Sequence, residues 1–173
     1  MRASGILLPV SSLPSKYGIG CFSKSAFEWI DFLQESGQTF WQILPLGPTS
    51  YGDSPYQSFS TFAGNPYFIS LEELIAEGLL TREECETANL GTNPSYVDYE
   101  KQYENRNPLL HKAYENSKKR EDADFLKFEE EQKAWLPDYA LFMALKEAHN
   151  GAQWSEWERP LKFREAEAIA KAK

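Results

Sequence analysis

The sequence predicts an α/β fold that opens with two parallel strands and continues as helix. Three observations carry that reading. Two short apolar runs, Gly5–Val10 and Phe40–Leu44, have the length and character of buried strands. A stretch of helical period lies between them, and a crossover helix of that size joins parallel strands. After Phe68 no second strand–helix alternation follows, and the rest of the chain reads as helix.

Taken in order, Gly5–Val10 is the first strand; a strand of a parallel sheet, buried on both faces, reads as a continuous apolar run. Ser11–Phe22 is a loop punctuated by Pro14, Gly18 and Gly20. Ser23 or Ser25 caps a helix running to about Ser36, with Phe27, Ile30 and Leu33 on one apolar face and Gly37 just beyond its end. Phe40–Leu44 is the second strand, and Gly47–Pro66 is a loop full of Gly, Pro, Ser and Asp. Ser70-x-x-Glu73 and Thr81-x-x-Glu84 are capping-box patterns that start short helices around 71–77 and 82–88. Helices are predicted from Tyr96 to about Lys119, from Asp124 to Trp135, from Pro137 to about Ala148 (ended by Asn150-Gly151), and from Pro160 to Lys173. The Lys118–Asp124 cluster, KKREDAD, reads as a solvated connection between helices.

Two strands alone do not make a stable sheet. Either helices cover a minimal sheet, or this is the beginning of a longer chain whose other strands lie beyond it; the second alternative is the expectation adopted.

Composition narrows the function. The formal charge is −8, carried by 18 basic and 26 acidic side chains, and it is unevenly spread. Residues 1–70 hold three basic and four acidic groups, residues 71–173 the other 15 and 22. The first part is nearly neutral and ring-rich, the second charged. An acidic chain has no attraction for phosphate backbones, so nucleic acid is not the expected partner. No run approaches the ~18 apolar residues of a membrane span, and the short apolar run broken by Pro9 does not make a signal peptide. A cytoplasmic location is expected. Cys21 and Cys85 stand far apart, without C-x-x-C or a histidine at metal spacing, and read as two reduced thiols.

If the strands are parallel, their carboxyl ends lie on one side, where (β/α) folds build their sites from the following loops. The second of those loops and the segment just after it carry Tyr51, Tyr56, Phe59, Phe62, Tyr67 and Phe68. Such a turn-rich segment is either packed down or a binding surface. Rings beside hydroxyls and amides suit a sugar. In Asp53-Ser54-Pro55-Tyr56-Gln57-Ser58 a sugar ring could stack on Tyr56 while Asp53, Ser54 and Gln57 take its hydroxyls. The alternative is a turn in which Asp53 and Ser54 bond their own backbone and Tyr56 packs as core. Pro55 stiffens the backbone in both cases.

Glycoside chemistry needs two carboxylates, about 5–5.5 Å apart for retention, and the candidate loops contain one acid, Asp53. Glu28, Asp31 and Glu35 belong to the crossover helix, and His111 and His149 are isolated. There is no Gly-rich phosphate loop, G-x-S-x-G or H-E-x-x-H. The chain as given holds no complete catalytic apparatus.

The runs SGILLPVSSLPSKYGIG, FWQILPLGPTSYGDSPYQSFSTFAGNPYFISL and WLPDYALFMALKEAHNGAQWSEWERPLKFR closely resemble the N-terminal part of the 4-α-glucanotransferases (amylomaltases or disproportionating enzymes) of glycoside hydrolase family 77. The resemblance implies that the strands are the first two of a (β/α)8 TIM barrel, with residues 1–70 its N-terminal part and 71–173 an inserted α-helical subdomain. It implies a retaining double displacement without cofactor or metal. An Asp nucleophile, a Glu acid/base and a second Asp, all beyond residue 173, would pass a glucan segment to the 4-hydroxyl of an acceptor. It implies that Tyr56 stacks on the glucose beside the cleavage point and that Ser54 and Gln57 line the same cleft. Asp53 would order the loop, and Tyr51 and Tyr99 would form a secondary glucan site. Maltooligosaccharides or starch- and glycogen-type glucans are the implied partners. A second reading, from another class, is a self-contained, non-catalytic carbohydrate-binding or interaction module. In either case a sheet cut after two strands leaves an unpaired apolar edge through which the chain could self-associate.

Overall fold

The computed structural model describes residues 2–50, 52–91, 93–118 and 123–173. The chain forms two compact units, Met1–Glu121 and Asp122–Lys173. Tyr51 and the middle of KKREDAD lie outside the described residues.

The first unit starts with strand β1 (Gly5–Leu7), helix α1 (Lys24–Glu35) and strand β2 (Phe40–Gln42). β1 and β2 are parallel, with Gly5 opposite Phe40, Ile6 opposite Trp41 and Leu7 opposite Gln42. The crossover is therefore as predicted. The strands are shorter than the apolar runs that announced them. Pro9 has no N–H to give the ladder, and the chain turns at Val10–Ser12 into one 3-10 turn. In the second run Pro45 stands just past the last apolar pair.

Nor are the strands buried on both faces: Leu7 and Phe40 are exposed, while Ile6 and Trp41 alternate with them and are half-buried. Trp41 packs into the cluster of Val10, Leu13 and Ala26 that also takes in Trp29 and Phe68. The packed face of α1 is set by Ala26, Trp29 and Leu33; Leu33 belongs to the predicted stripe, while Phe27 and Ile30 are 68% and 47% exposed. The helix begins after Ser23, and Gly37 follows it at φ +68°.

Short helices α2 (Leu71–Ala76) and α3 (Arg82–Thr87) start where their caps predicted. Thr81 and Glu84 form the full reciprocal box. At α2 only half of it forms: the Ser70 hydroxyl accepts from the Glu73 N–H but donates to Glu72. A longer helical run follows, α4 (Tyr99–Lys101) passing through a π-helical turn at Gln102–Arg106 into α5 (Asn107–Ser117). These helices share a core with the loop after β1: Tyr17 is buried with Leu71, Leu80, Cys85, Leu90 and Leu109. Residue 70 is accordingly not the edge of a compact unit. Cys21 and Cys85 are both free and buried. Among the described residues no helix is long and apolar enough to cross a membrane.

The second unit holds α6 (Ala123–Glu131), α7 (Leu136–Ala148), α8 (Arg159–Lys162) and α9 (Ala166–Ala172). The single helix expected over 160–173 is broken at Arg164, which takes φ +54°. His149 ends α7 and stacks on Trp157 at 5.1 Å. Its Nδ1 lies 2.7 Å from the Leu145 carbonyl oxygen and its Nε2 2.8 Å from the Glu158 carboxylate. Both ring nitrogens face acceptors, which favours the doubly protonated ring. Accordingly the Glu158 carboxylate, followed by the Leu145 carbonyl, raises the His149 pKa above 6.5, and His149 lowers that of Glu158 below 4.5. The sign follows from linkage. The imidazole's share of stability is complete below pH 6.5 and fades as pH climbs through its raised folded value. The carboxyl's share is complete above pH 4.5 and fades as pH falls through its lowered folded value. The latch is expected to be strongest between those limits, and Glu158→Gln to return the His149 titration toward its ordinary midpoint. An NMR titration of the ring reads this; an unmoved midpoint in the variant refutes it.

Candidate functional site at the carboxyl ends of the strands

Because β1 and β2 run the same way, the loops after them rise on one side. The Leu8 N–H donates to Gln42 O (3.0 Å) and the Trp41 indole to Leu8 O (2.8 Å), so the two exits are tied together. The second loop is a closed excursion. The Asn65 N–H returns to Leu46 O at 2.8 Å, and Thr49 pairs antiparallel with Ser58. Asn65 then accepts from the Tyr67 N–H (3.0 Å) and caps a 3-10 turn, Pro66–Phe68, with proline in its first turn.

Between the loops lies a cavity of ≈ 120 Å³, lined among others by Ser11, Thr49, Asp53, Asn65, Tyr67 and Tyr99. Among the described residues of that lining Asp53 alone carries a carboxylate. Its backbone is left-handed at φ +53° and its N–H donates to Ser50 O (3.0 Å). Thr49 Oγ1 donates to its carboxylate at 3.4 Å. Burial raises the Asp53 pKa, with the Thr49 hydroxyl opposing. The phenols respond in turn: burial, then the Asp53 charge, pushes Tyr67 up to about 12 and raises Tyr99. Tyr67 and Tyr99 stand with ring centroids 6.0 Å apart.

The structure divides the sequence-predicted residues. Asp53 and Tyr99 line the cavity; Ser54, Tyr56 and Gln57 do not. Ser54 makes the local turn, its carbonyl accepting from the Gln57 N–H (3.1 Å) and its hydroxyl from the Tyr56 N–H (3.4 Å). Tyr56, on the outer side of that turn, is 73% exposed and is not core. Tyr51 lies outside the described residues. Sequence reasoning missed Ser11, Thr49, Asn65 and Tyr67 as cavity residues, although Asn65-Pro66 carried a helix-start signal. Among the described residues no group of three or more His, Cys, Asp or Glu is placed to hold a metal ion.

Parallel strands joined by a crossover helix, with a ring-lined cavity at their carboxyl ends, form one unit of a (β/α) fold. The family model described as 4-alpha-glucanotransferase matches residues 8–173, and the chain belongs to that family, glycoside hydrolase family 77. It is 51% identical over 164 residues to the 4-alpha-glucanotransferase of Clostridium butyricum, covering 95% of this chain and 34% of that protein. It is 46% identical over 176 residues to that of Thermus thermophilus, covering 99% and 34%. Among solved structures it matches the amylomaltase from Streptococcus agalactiae in complex with acarbose, with a TM-score of 0.94 and 43% identity over 99% of this chain and 35% of that one. The chain thus spans about a third of the length of the relatives it matches.

Proposed function

We propose that residues 1–173 form the N-terminal part of an α-1,4-glucan transferase and carry glucan-binding residues but not its catalytic acids. The observation that carries this is Tyr56, a ring held 73% exposed on a turn above the carboxyl ends of two parallel strands. A ring so placed is a platform for a sugar face. In this reading Tyr56 stacks on a glucose unit, Ser54 and Gln57 meet its hydroxyls, and Asp53, turned into the cavity, orders the loop. Tyr51 and Tyr99 serve a secondary glucan site. Residues 71–173 are a helical insertion in the barrel, the part up to residue 121 belonging to one compact unit with the strands, and the protein works in the cytoplasm on maltooligosaccharides or starch- and glycogen-type glucans. The reaction is a retaining transfer to a 4-hydroxyl, its carboxylates coming from outside this chain.

Titration of the folded chain with maltooligosaccharides or acarbose is expected to saturate, and a flat titration overturns the binding assignment. Incubated with maltotriose, the same chain is expected to release neither maltose nor longer glucans, because the described residues of the cleft supply one carboxylate and the displacement needs two. Appearance of those products from the purified chain overturns the placement of the acids.

A further inference from the structure

We propose that Gln102 and Arg106 are positioning residues of the cleft, reaching from the helical segment to fix the backbone within the loop after β1 and just past the loop after β2. Both side chains are 0% exposed. The Gln102 amide donates to Tyr17 O (2.8 Å) and Leu90 O (2.6 Å), and its own oxygen accepts from Arg106 Nη1 at 3.3 Å. Arg106 Nη2 donates to Ile69 O at 2.6 Å. One π-helical turn, a rare geometry concentrated at functional sites, thus gathers carbonyls from three separate segments.

Two of those segments are cleft walls. Tyr17 precedes Ile19 in the loop after β1, and Ile69 follows Tyr67 and Phe68; Ile19, Tyr67 and Phe68 all line the cavity. The Phe22 N–H also donates to Phe68 O (3.3 Å), so the walls are joined behind it. A shift of the Tyr17 or Ile69 carbonyl moves the cavity.

The chemistry of Arg106 supports a geometric role. A buried guanidinium carries a large desolvation cost, and an apolar side chain packs such a core more favourably. Among the described residues its hydrogen bonds reach the Gln102 amide oxygen and the Ile69 carbonyl oxygen, the Cys21 thiol also stands beside it, and its Nε finds no partner. Burial pulls its pKa down, while Cys21, Glu72 and Cys85 act in the other direction. What the planar fork gains over an apolar filler is direction: it holds Ile69 and Gln102 at fixed angles.

The clamp itself is independent of the ligand; its bearing on glucan binding rests on the function proposed above. The test is amide hydrogen exchange on the chain carrying Gln102→Met, Arg106→Lys or, as control, Leu109→Ala. Leu109 belongs to the same core and makes none of these hydrogen bonds. At matched global stability, exchange at Gly20, Phe22, Asn65 and Phe68 is expected to quicken at least tenfold in Gln102→Met, with α1 unchanged. Arg106→Lys, which keeps the charge and loses the fork, should show a smaller rise at Phe22 and Phe68, and it carries the test if the glutamine variant does not fold. Exchange at these amides no faster than in Leu109→Ala overturns the clamp. Titration with maltoheptaose separates the two ideas. Weaker binding in Gln102→Met but not in Leu109→Ala supports both. Loosened loops with unchanged affinity uphold the clamp and refute the assignment of these loops to glucan.

Discussion

Gly18→Ala is expected to destabilise the N-terminal unit by roughly 2–5 kcal/mol, a large effect for one methyl group. Two costs add. Gly18 sits at φ +77°, where a side chain costs about 1–2 kcal/mol. A Cβ there would also lie 2.0 Å from the Leu90 carbonyl oxygen and 2.6 Å from Gln102 Nε2. Overfilling a packed site typically costs a further ~1–3 kcal/mol. Here the intruding methyl displaces the acceptor that Gln102 holds. Gly37→Ala provides the comparison: Gly37 has φ +68° but nothing within 4 Å of an added Cβ, so only the backbone cost, about 1–2 kcal/mol, applies. Urea unfolding of the two variants measures the difference. Equal midpoints would mean that the backbone between Tyr17 and Ile19 yields freely and the clamp is soft.

Tyr56→Ala is expected to weaken maltooligosaccharide binding at least ~10-fold, about 1.4 kcal/mol or more, as loss of an aromatic anchor does. The same change should leave the melting temperature almost unmoved, because a side chain that is 73% exposed gives up little burial. Tyr56→Phe keeps the ring face and should keep most of the affinity. Affinity unchanged in the alanine variant would remove Tyr56 from the site.

Local rules carried far in this sequence. Thr81 and Glu84, Asn150-Gly151 and Gly37 each mark a helix boundary that the structure keeps, since capping and left-handed turns depend on a few neighbouring residues. The parallel pairing was legible because a crossover of that length leaves few other arrangements. Quantities set by distant packing were not legible. The stripe Phe27, Ile30, Leu33 has good helical spacing, but Trp29 takes the packed face with Ala26 because the cluster of Val10, Leu13 and Ala26 lies on that side. The split of the last helix at Arg164 carried no glycine or proline to announce it. In the loop, composition marked a ring-rich segment but could not say which rings turn inward. Tyr67 does, through the Asn65 cap, and Tyr56 does not. Gln102 and Arg106 fall within the helix predicted from Tyr96 with nothing in the sequence to single them out, and only the fold brings backbone carbonyls to them.

The pairing of Thr49 with Ser58 has a thermodynamic consequence. In the reading proposed above, it joins the two flanks of the turn at Pro55, so that backbone is braced before any sugar arrives. Association then forfeits little chain entropy, so calorimetry should find a modest entropic penalty for glucan capture. Breaking that pairing, for example by Ser58→Pro, should raise the penalty while sparing the enthalpy of stacking.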